Sequence, residues 1–260
     1  MWICPVRGCQ LELRPRPRRW VCESDHSFDV AREGYVNLLQ PQDRRAKAPG
    51  DGREVVAARR RLHERGITRG LFEAVLELAD ARRGDRIAEA GCGEGFYVGT
   101  LAGQTGAHGA GVDISTPAIE AAARRYPECS WAVANADRML PLPTGSLDLA
   151  LSITGRRPLG EFYRVLRPGG GLLAGVPGPE DLIELRGVGK DRRESVLAEL
   201  GAGFACVETK RVTTHVRLDA SAVGDLRLAI YRPAGVIEPG EVTLSLDLML
   251  LRRRDAMLET

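Results

Sequence analysis

Cys4, Cys9, Cys22 and His26 follow the spacing C-x4-C-x12-C-x3-H near the start of the chain. Two close pairs of soft ligands, about a dozen residues apart, can converge on one tetrahedral ion, and thiolates with an imidazole suit zinc. Four protein ligands leave no open coordination position, so such a metal would be structural. A segment this short buries little apolar surface, and the ion would supply much of its folding free energy. The pairs bracket a hairpin-like stretch, residues 11–21. Three buried thiols beside an incidental histidine are the alternative.

A second set of residues suits a small-molecule cofactor. Glu89-Ala90-Gly91-Cys92-Gly93-Glu94-Gly95 is a glycine-rich turn between an expected strand and an expected helix. Glycines let the backbone approach a ligand closely, and the helix N-terminus offers unpaired N–H groups. The spacing is G-x-G-x-G, where a dinucleotide fingerprint would be G-x-G-x-x-G. Glu89 would hold an ammonium group and repel a pyrophosphate. Asp113 closes the next strand, where a carboxylate can accept both ribose hydroxyls. Asn135-Ala136-Asp137 follows the third strand and suits an adenine edge. Glu89, Gly91, Cys92, Gly93, Asp113, Ile114, Asn135, Ala136 and Asp137 are therefore the expected cofactor-binding set. With Leu166-Arg167-Pro168-Gly169-Gly170 downstream, they resemble a class I S-adenosylmethionine-dependent methyltransferase. A nucleotide-free or NAD-binding Rossmann fold is the competing reading.

The elements that must position these residues alternate along the chain. Strands are expected at 86–90, 109–113, 131–134, 147–153 and 171–176, with helices at 71–79, 96–101, 117–125 and 161–166 between or before them. Such alternation predicts an α/β fold, a doubly wound Rossmann-like sheet that is mostly parallel. Residues 241–252 alternate like a late antiparallel strand. Asp51 and Glu54 suggest a capping box for a helix running to about Arg65. The expected organisation is a zinc-binding module over 1–38, a basic linker and helix over 39–70, and the methyltransferase domain over 71–260.

Hydrophobic content of 43% and charged content of 28% are ordinary for a soluble protein. No apolar run approaches the ~20 residues that span a bilayer. The cysteine motif stands where an export signal would, so the cytoplasm is expected, with no membrane partner. Net charge is +2 but unevenly divided. Residues 1–70 carry 15 Arg and Lys against 9 Asp and Glu, and the remainder 22 against 26. Arginine clusters suggest phosphate contacts, with Arg16, Arg18, Arg19, Arg44, Arg45 and Lys47 as candidate RNA-binding residues. A solvated surface without a partner is the alternative reading of the charge.

The cysteine module running into Phe28-Asp29, then Glu33-Gly34-Tyr35-Val36-Asn37-Leu38-Leu39, Pro49-Gly50-Asp51 and the glycine turn, resembles the 23S rRNA (guanine-N1) methyltransferase family. That family includes housekeeping enzymes and macrolide-resistance enzymes of antibiotic producers. The resemblance implies S-adenosylmethionine and zinc as cofactors, an RNA-recognition role for the zinc-binding module over 1–38, a 23S rRNA hairpin as substrate, methylation at guanine N1, and a homodimer that frames the RNA. The chain departs from the family at Ser152-Ile153-Thr154-Gly155-Arg156, where an Arg-x-aromatic-small-Pro segment is typical. Tyr97 and Trp131 are the rings available to replace the missing aromatic. A small-molecule methyltransferase and an inactive cofactor- and RNA-binding homologue are the alternative functions. Guanine N1 must lose a proton during transfer. No histidine stands beside the cofactor motifs in sequence to take it.

Overall fold

The computed structural model describes residues 2–43, 50–230 and 238–258. Arg44, Arg45 and Lys47 lie outside the described residues. The N-terminal module is a three-stranded antiparallel sheet of β1 (Arg14–Arg16), β2 (Arg19–Val21) and β3 (Ser27–Asp29). The chain then forms β4 (Val36–Asn37), α1 (Arg53–Glu64), α2 (Arg69–Ala79), β5 (Arg86–Ala90), α3 (Phe96–Thr105), β6 (His108–Asp113), α4 (Thr116–Arg125) and β7 (Ser130–Val133). Its second half holds β8 (Leu147–Ile153), α5 (Leu159–Val165), β9 (Leu166–Pro177), α6 (Ile183–Arg186), α7 (Arg193–Leu200), β10 (Phe204–Leu218), α8 (Ala220–Ala229) and β11 (Gly240–Arg253).

The main sheet runs β10-β11-β9-β8-β5-β6-β7-β4. Every pair from β9 to β4 is parallel, and β11 pairs antiparallel with both β9 and β10. The α/β reading and the late antiparallel strand are both present. The chain order reverses between β5 and β8, and at such a switch point the carboxyl ends of the strands open a crevice for ligands. Apolar clusters cover both faces of the sheet.

The module is built into this sheet. β4 continues from it and lies parallel to β7, with Leu38 N–H donating to Val133 O at 2.8 Å. Trp2, Leu13 and Leu38 are buried in the same cluster as Val112 and Ala132 of the sheet.

Three local expectations differ. Asp51 does not cap α1; Gly52 occupies the N-cap without a side-chain bond. The Asp51 carboxylate is drawn instead to Arg59, at 2.8 Å, and its carbonyl accepts from Ser115 Oγ at 2.6 Å. The strand expected at 171–176 begins earlier, at Leu166, and β9 carries Arg167–Gly170 as an irregularity in its register with β8. β10, α6, α7 and α8 go beyond the expected elements.

Candidate active site and metal centre

The four ligands of the first motif meet. Cys9 Sγ lies 3.7 Å from Cys22 Sγ, and His26 Nδ1 lies 3.5 Å from Cys4 Sγ and 3.4 Å from Cys22 Sγ. All four ligand atoms fall within 4.8 Å of one another. Tetrahedral zinc bonds imply edges of about 3.8 Å between sulfurs and about 3.6 Å between sulfur and nitrogen. The donor set and its spacing therefore fit zinc. Backbone bonds shape the two ligand turns: Cys4 N–H donates to Leu11 O, and Cys22 N–H to His26 O.

All nine residues of the expected cofactor set line one cavity of about 770 Å³ at the carboxyl ends of the parallel strands. β5 delivers Glu89 and the glycine turn, β6 delivers Asp113 and Ile114, and β7 leads into Asn135, Ala136 and Asp137. Gly91, Gly93 and Gly95 all take positive φ. At Gly95 (φ +78°) the constraint is double, since a Cβ would also collide with the Trp131 ring. Trp131 is thus a core residue that shapes the turn from beneath, while Tyr97 lines the cavity.

Asp113 accepts from Gly93 N–H at 2.9 Å through one carboxylate oxygen and from Ser115 N–H at 2.8 Å through the other. It ties the glycine turn to the end of β6 and keeps lone pairs on both oxygens. Burial holds its carboxyl above the usual range, against the two N–H groups. Glu89 is buried and accepts from Val98 N–H at 3.1 Å, which anchors α3 to the strand. Burial, and then the charges of Glu94 and Asp113, push its carboxyl well up. A cationic ligand would relieve this crowding of carboxylates. The site therefore fits a donor bearing an ammonium and a sulfonium.

Sequence reasoning missed a histidine. His63 on α1 stacks on Phe96, with ring centroids 3.8 Å apart, and brings Nε2 to 3.1 Å from Glu94 Oε1. Its Nδ1 lies 2.6 Å from Thr68 Oγ1. Beyond His63, this buried oxygen has no hydrogen-bond partner among the described residues. Burial is the largest influence on the Glu94 carboxyl and pushes it up, but the His63 ring, the local backbone N–H and the Arg59 charge together hold it below its ordinary value. The helix that precedes the domain by sequence thus folds over the mouth of the glycine turn. Arg59 lines the cavity from the same helix. His108 and His215 are placed on strands away from it.

The divergent segment also lines the cavity. Thr154 takes φ +57°, strained for a β-branched residue, and donates its N–H to Gly175 O at 2.8 Å. Ser152 is buried and donates its hydroxyl to Arg156 O at 3.0 Å. Arg156 in turn places Nε 3.0 Å from Asp137 Oδ2. A cation therefore sits over the carboxylate expected to meet adenine.

Known proteins share these features. Residues 2–47 match the RlmA N-terminal zinc-ribbon model, and residues 87–170 match a methyltransferase domain model. A 23S rRNA (guanine(748)-N(1))-methyltransferase of Streptomyces fradiae is 38% identical over 232 residues, covering 85% of this chain and 81% of the relative. The chain belongs to the 23S rRNA (guanine-N1) methyltransferase family. Membership brings S-adenosylmethionine as methyl donor and zinc as structural metal, which the two donor sets fit. Solved structures share the fold alone. A chain of the complex between the Haloferax volcanii Trm112 methyltransferase activator and its methyltransferase aligns at TM-score 0.53 and 20% identity, covering 79% of this chain and 99% of its own length. The [4+2]-cyclase SpnF aligns at 0.52 and 17% identity, covering 71% of this chain and 80% of its own.

Replacing Asp113 by Ala should weaken donor binding by about 1.5–3 kcal/mol, the contribution of hydrogen bonds to a charged group. Titration calorimetry measures it directly. Unchanged affinity would remove Asp113 from the donor site.

Proposed function

We propose that this protein transfers the methyl group of S-adenosylmethionine to N1 of a guanine in a 23S rRNA hairpin, acting in the cytoplasm as a homodimer whose zinc modules frame the RNA. A methyl group at such a site would suit macrolide resistance, the role the resemblance carries for members from antibiotic producers. No helix among the described residues is long and apolar enough to cross a membrane. The observation that carries the reading is the continuity of module and sheet. β4 fixes the zinc module beside β7, the strand that leads into Asn135–Asp137, so RNA gripped by the module meets the cavity at a set distance.

The donor supplies an already activated methyl group, so the protein contributes mainly alignment. Asp113 would take the ribose hydroxyls and Asp137 the adenine amino group, with Arg156 displaced. The acidic wall of Glu89 and Glu94 would balance the positive donor.

The module's tip is built to meet a polyanion. Arg16, Arg18 and Arg19 are exposed and make no ion pair among the described residues. Pro17 and Arg18 form the turn between β1 and β2, where Arg18 takes φ +61°. If all three reach phosphates, replacing them with Ala should reduce the salt slope of RNA binding by roughly 0.7–0.9 for each phosphate no longer neutralised. Donor affinity should stay the same. An unchanged slope would make this tip a solvated surface. The counterpart residues Arg44, Arg45 and Lys47 can be tested in a separate triple variant. Radiolabel from the donor should enter 23S rRNA as 1-methylguanosine; label found only in small molecules would favour that class of substrate.

A further inference from the structure

The donor set uses the ends of β5, β6 and β7, yet the same cavity continues to the ends of β8 and β9. Ile153, Thr154, Pro177 and Asp181 line that part. It is the space left for the methyl acceptor, and Asp181 is its carboxylate. The turn that carries Asp181 is pinned to β11. Gly178 N–H donates to Ser245 O at 2.9 Å, Ser245 N–H to Asp181 Oδ1 at 3.1 Å, and Leu182 N–H to Thr243 O at 2.7 Å. Leu182 is buried at φ +54°, a conformation that residues other than glycine seldom adopt and that these bonds impose. The strain fixes the direction of Asp181. Its Oδ1 is held by Ser245, and its Oδ2 makes no hydrogen bond among the described residues.

We infer that Asp181 is the general base that takes the N1 proton of the acceptor guanine; this rests on the function proposed above. Asp181 Oδ2 accepts the proton from N1. The N1 lone pair bonds to the methyl carbon as the carbon–sulfur bond breaks, and that bond's electron pair stays on sulfur, cancelling the sulfonium charge. Protonated Asp181 then returns its proton to solvent through the cavity mouth. Arg186 and Glu184 of α6 and Tyr97 of α3 bear on the carboxylate, and Arg192 lines the same cavity. Burial raises the Asp181 carboxyl above its usual range, with Glu184 adding to the effect and Arg186 opposing it. A carboxylate so raised is a stronger base than an exposed one.

The test is Asp181→Asn in full-length, zinc-loaded protein. Asparagine keeps an oxygen for Ser245 N–H, so the turn should hold. Single-turnover transfer to 23S rRNA should fall about 10²-fold or more at neutral pH, the usual contribution of a positioned base. Donor and RNA affinities should be unchanged. The residual rate should climb about tenfold per pH unit as hydroxide replaces the base, where the wild type levels off. A variant with the wild-type rate, with the wild-type pH profile, or with a rate loss matched by weakened donor or RNA affinity would overturn the assignment. Wild-type protein that puts no methyl on guanine N1 would overturn the proposed function, and this base with it. Wild-type transfer with an equally active variant would overturn the base alone.

Discussion

Purified protein should carry one zinc per chain, and a Cys4→Ser, Cys22→Ser variant should carry none. The loss should be large. Apparent binding free energies of structural zinc in small modules run to about 10–16 kcal/mol near neutral pH, and such modules unfold without metal. Here the consequence should spread beyond the ligands, because Trp2, Leu13 and Leu38 share a buried cluster with Val112 and Ala132 of the sheet. Amide exchange should therefore accelerate at Leu38, whose N–H bonds to Val133 across the β4–β7 edge. Residues of β5 and β8, in the middle of the sheet, should keep their protection. Full zinc retention in the double variant would rule out this ligand set.

Arg211→Ala should be strongly destabilising. Asp247 is fully buried on β11, and Arg211 of β10 grips it through Nε at 2.6 Å and Nη2 at 2.9 Å. Removing one partner of a buried pair leaves an uncompensated charge and costs roughly 3–5 kcal/mol. Arg193 Nε, at 3.9 Å from Asp247, is placed to recover only part of this. The same Arg211 reaches Asp191 at 2.8 Å, and so ties the loop bearing Arg192 to the sheet. Urea unfolding of the variant measures the loss. The double substitution Arg211→Met, Asp247→Leu should restore most of it, since an apolar pair of similar volume carries no desolvation penalty. A single variant of wild-type stability would mean that the pair contributes nothing.

The parts of the site that lie within a local motif were readable. β5 and β8 have the bounds expected from their apolar runs, and the glycine turn, Asp113 and Asn135–Asp137 fall at strand ends because α/β alternation dictates where the chain turns. The cysteine spacing likewise anticipated a cluster that the fold closes. What escaped depends on contacts far apart in sequence. His63 belongs to α1, and nothing in its neighbourhood says that α1 returns over Glu94; the packing of α1 against α8 and α4 and the stacking on Phe96 place it there. Asp181 was invisible for the same reason, since its orientation comes from bonds to Thr243 and Ser245 on β11. β10 escaped because residues 206–209, in its first half, are exposed around an irregularity in its pairing with β11 and carry no period; only further on do Val212, Val216 and Leu218 turn to the core, with exposed residues between them. The capping-box pattern at Asp51 misled because a nearby guanidinium competed for the carboxylate.

Methylation of guanine N1 in 23S rRNA is the step on which the proposed function stands or falls. Mass mapping of 23S rRNA from cells with and without this protein reads it without intermediaries. One hairpin guanine should gain a single methyl group, located on N1, when the protein is present, and the Asp113→Ala variant should diminish it. Identical rRNA from both cell lines would contradict the proposed function.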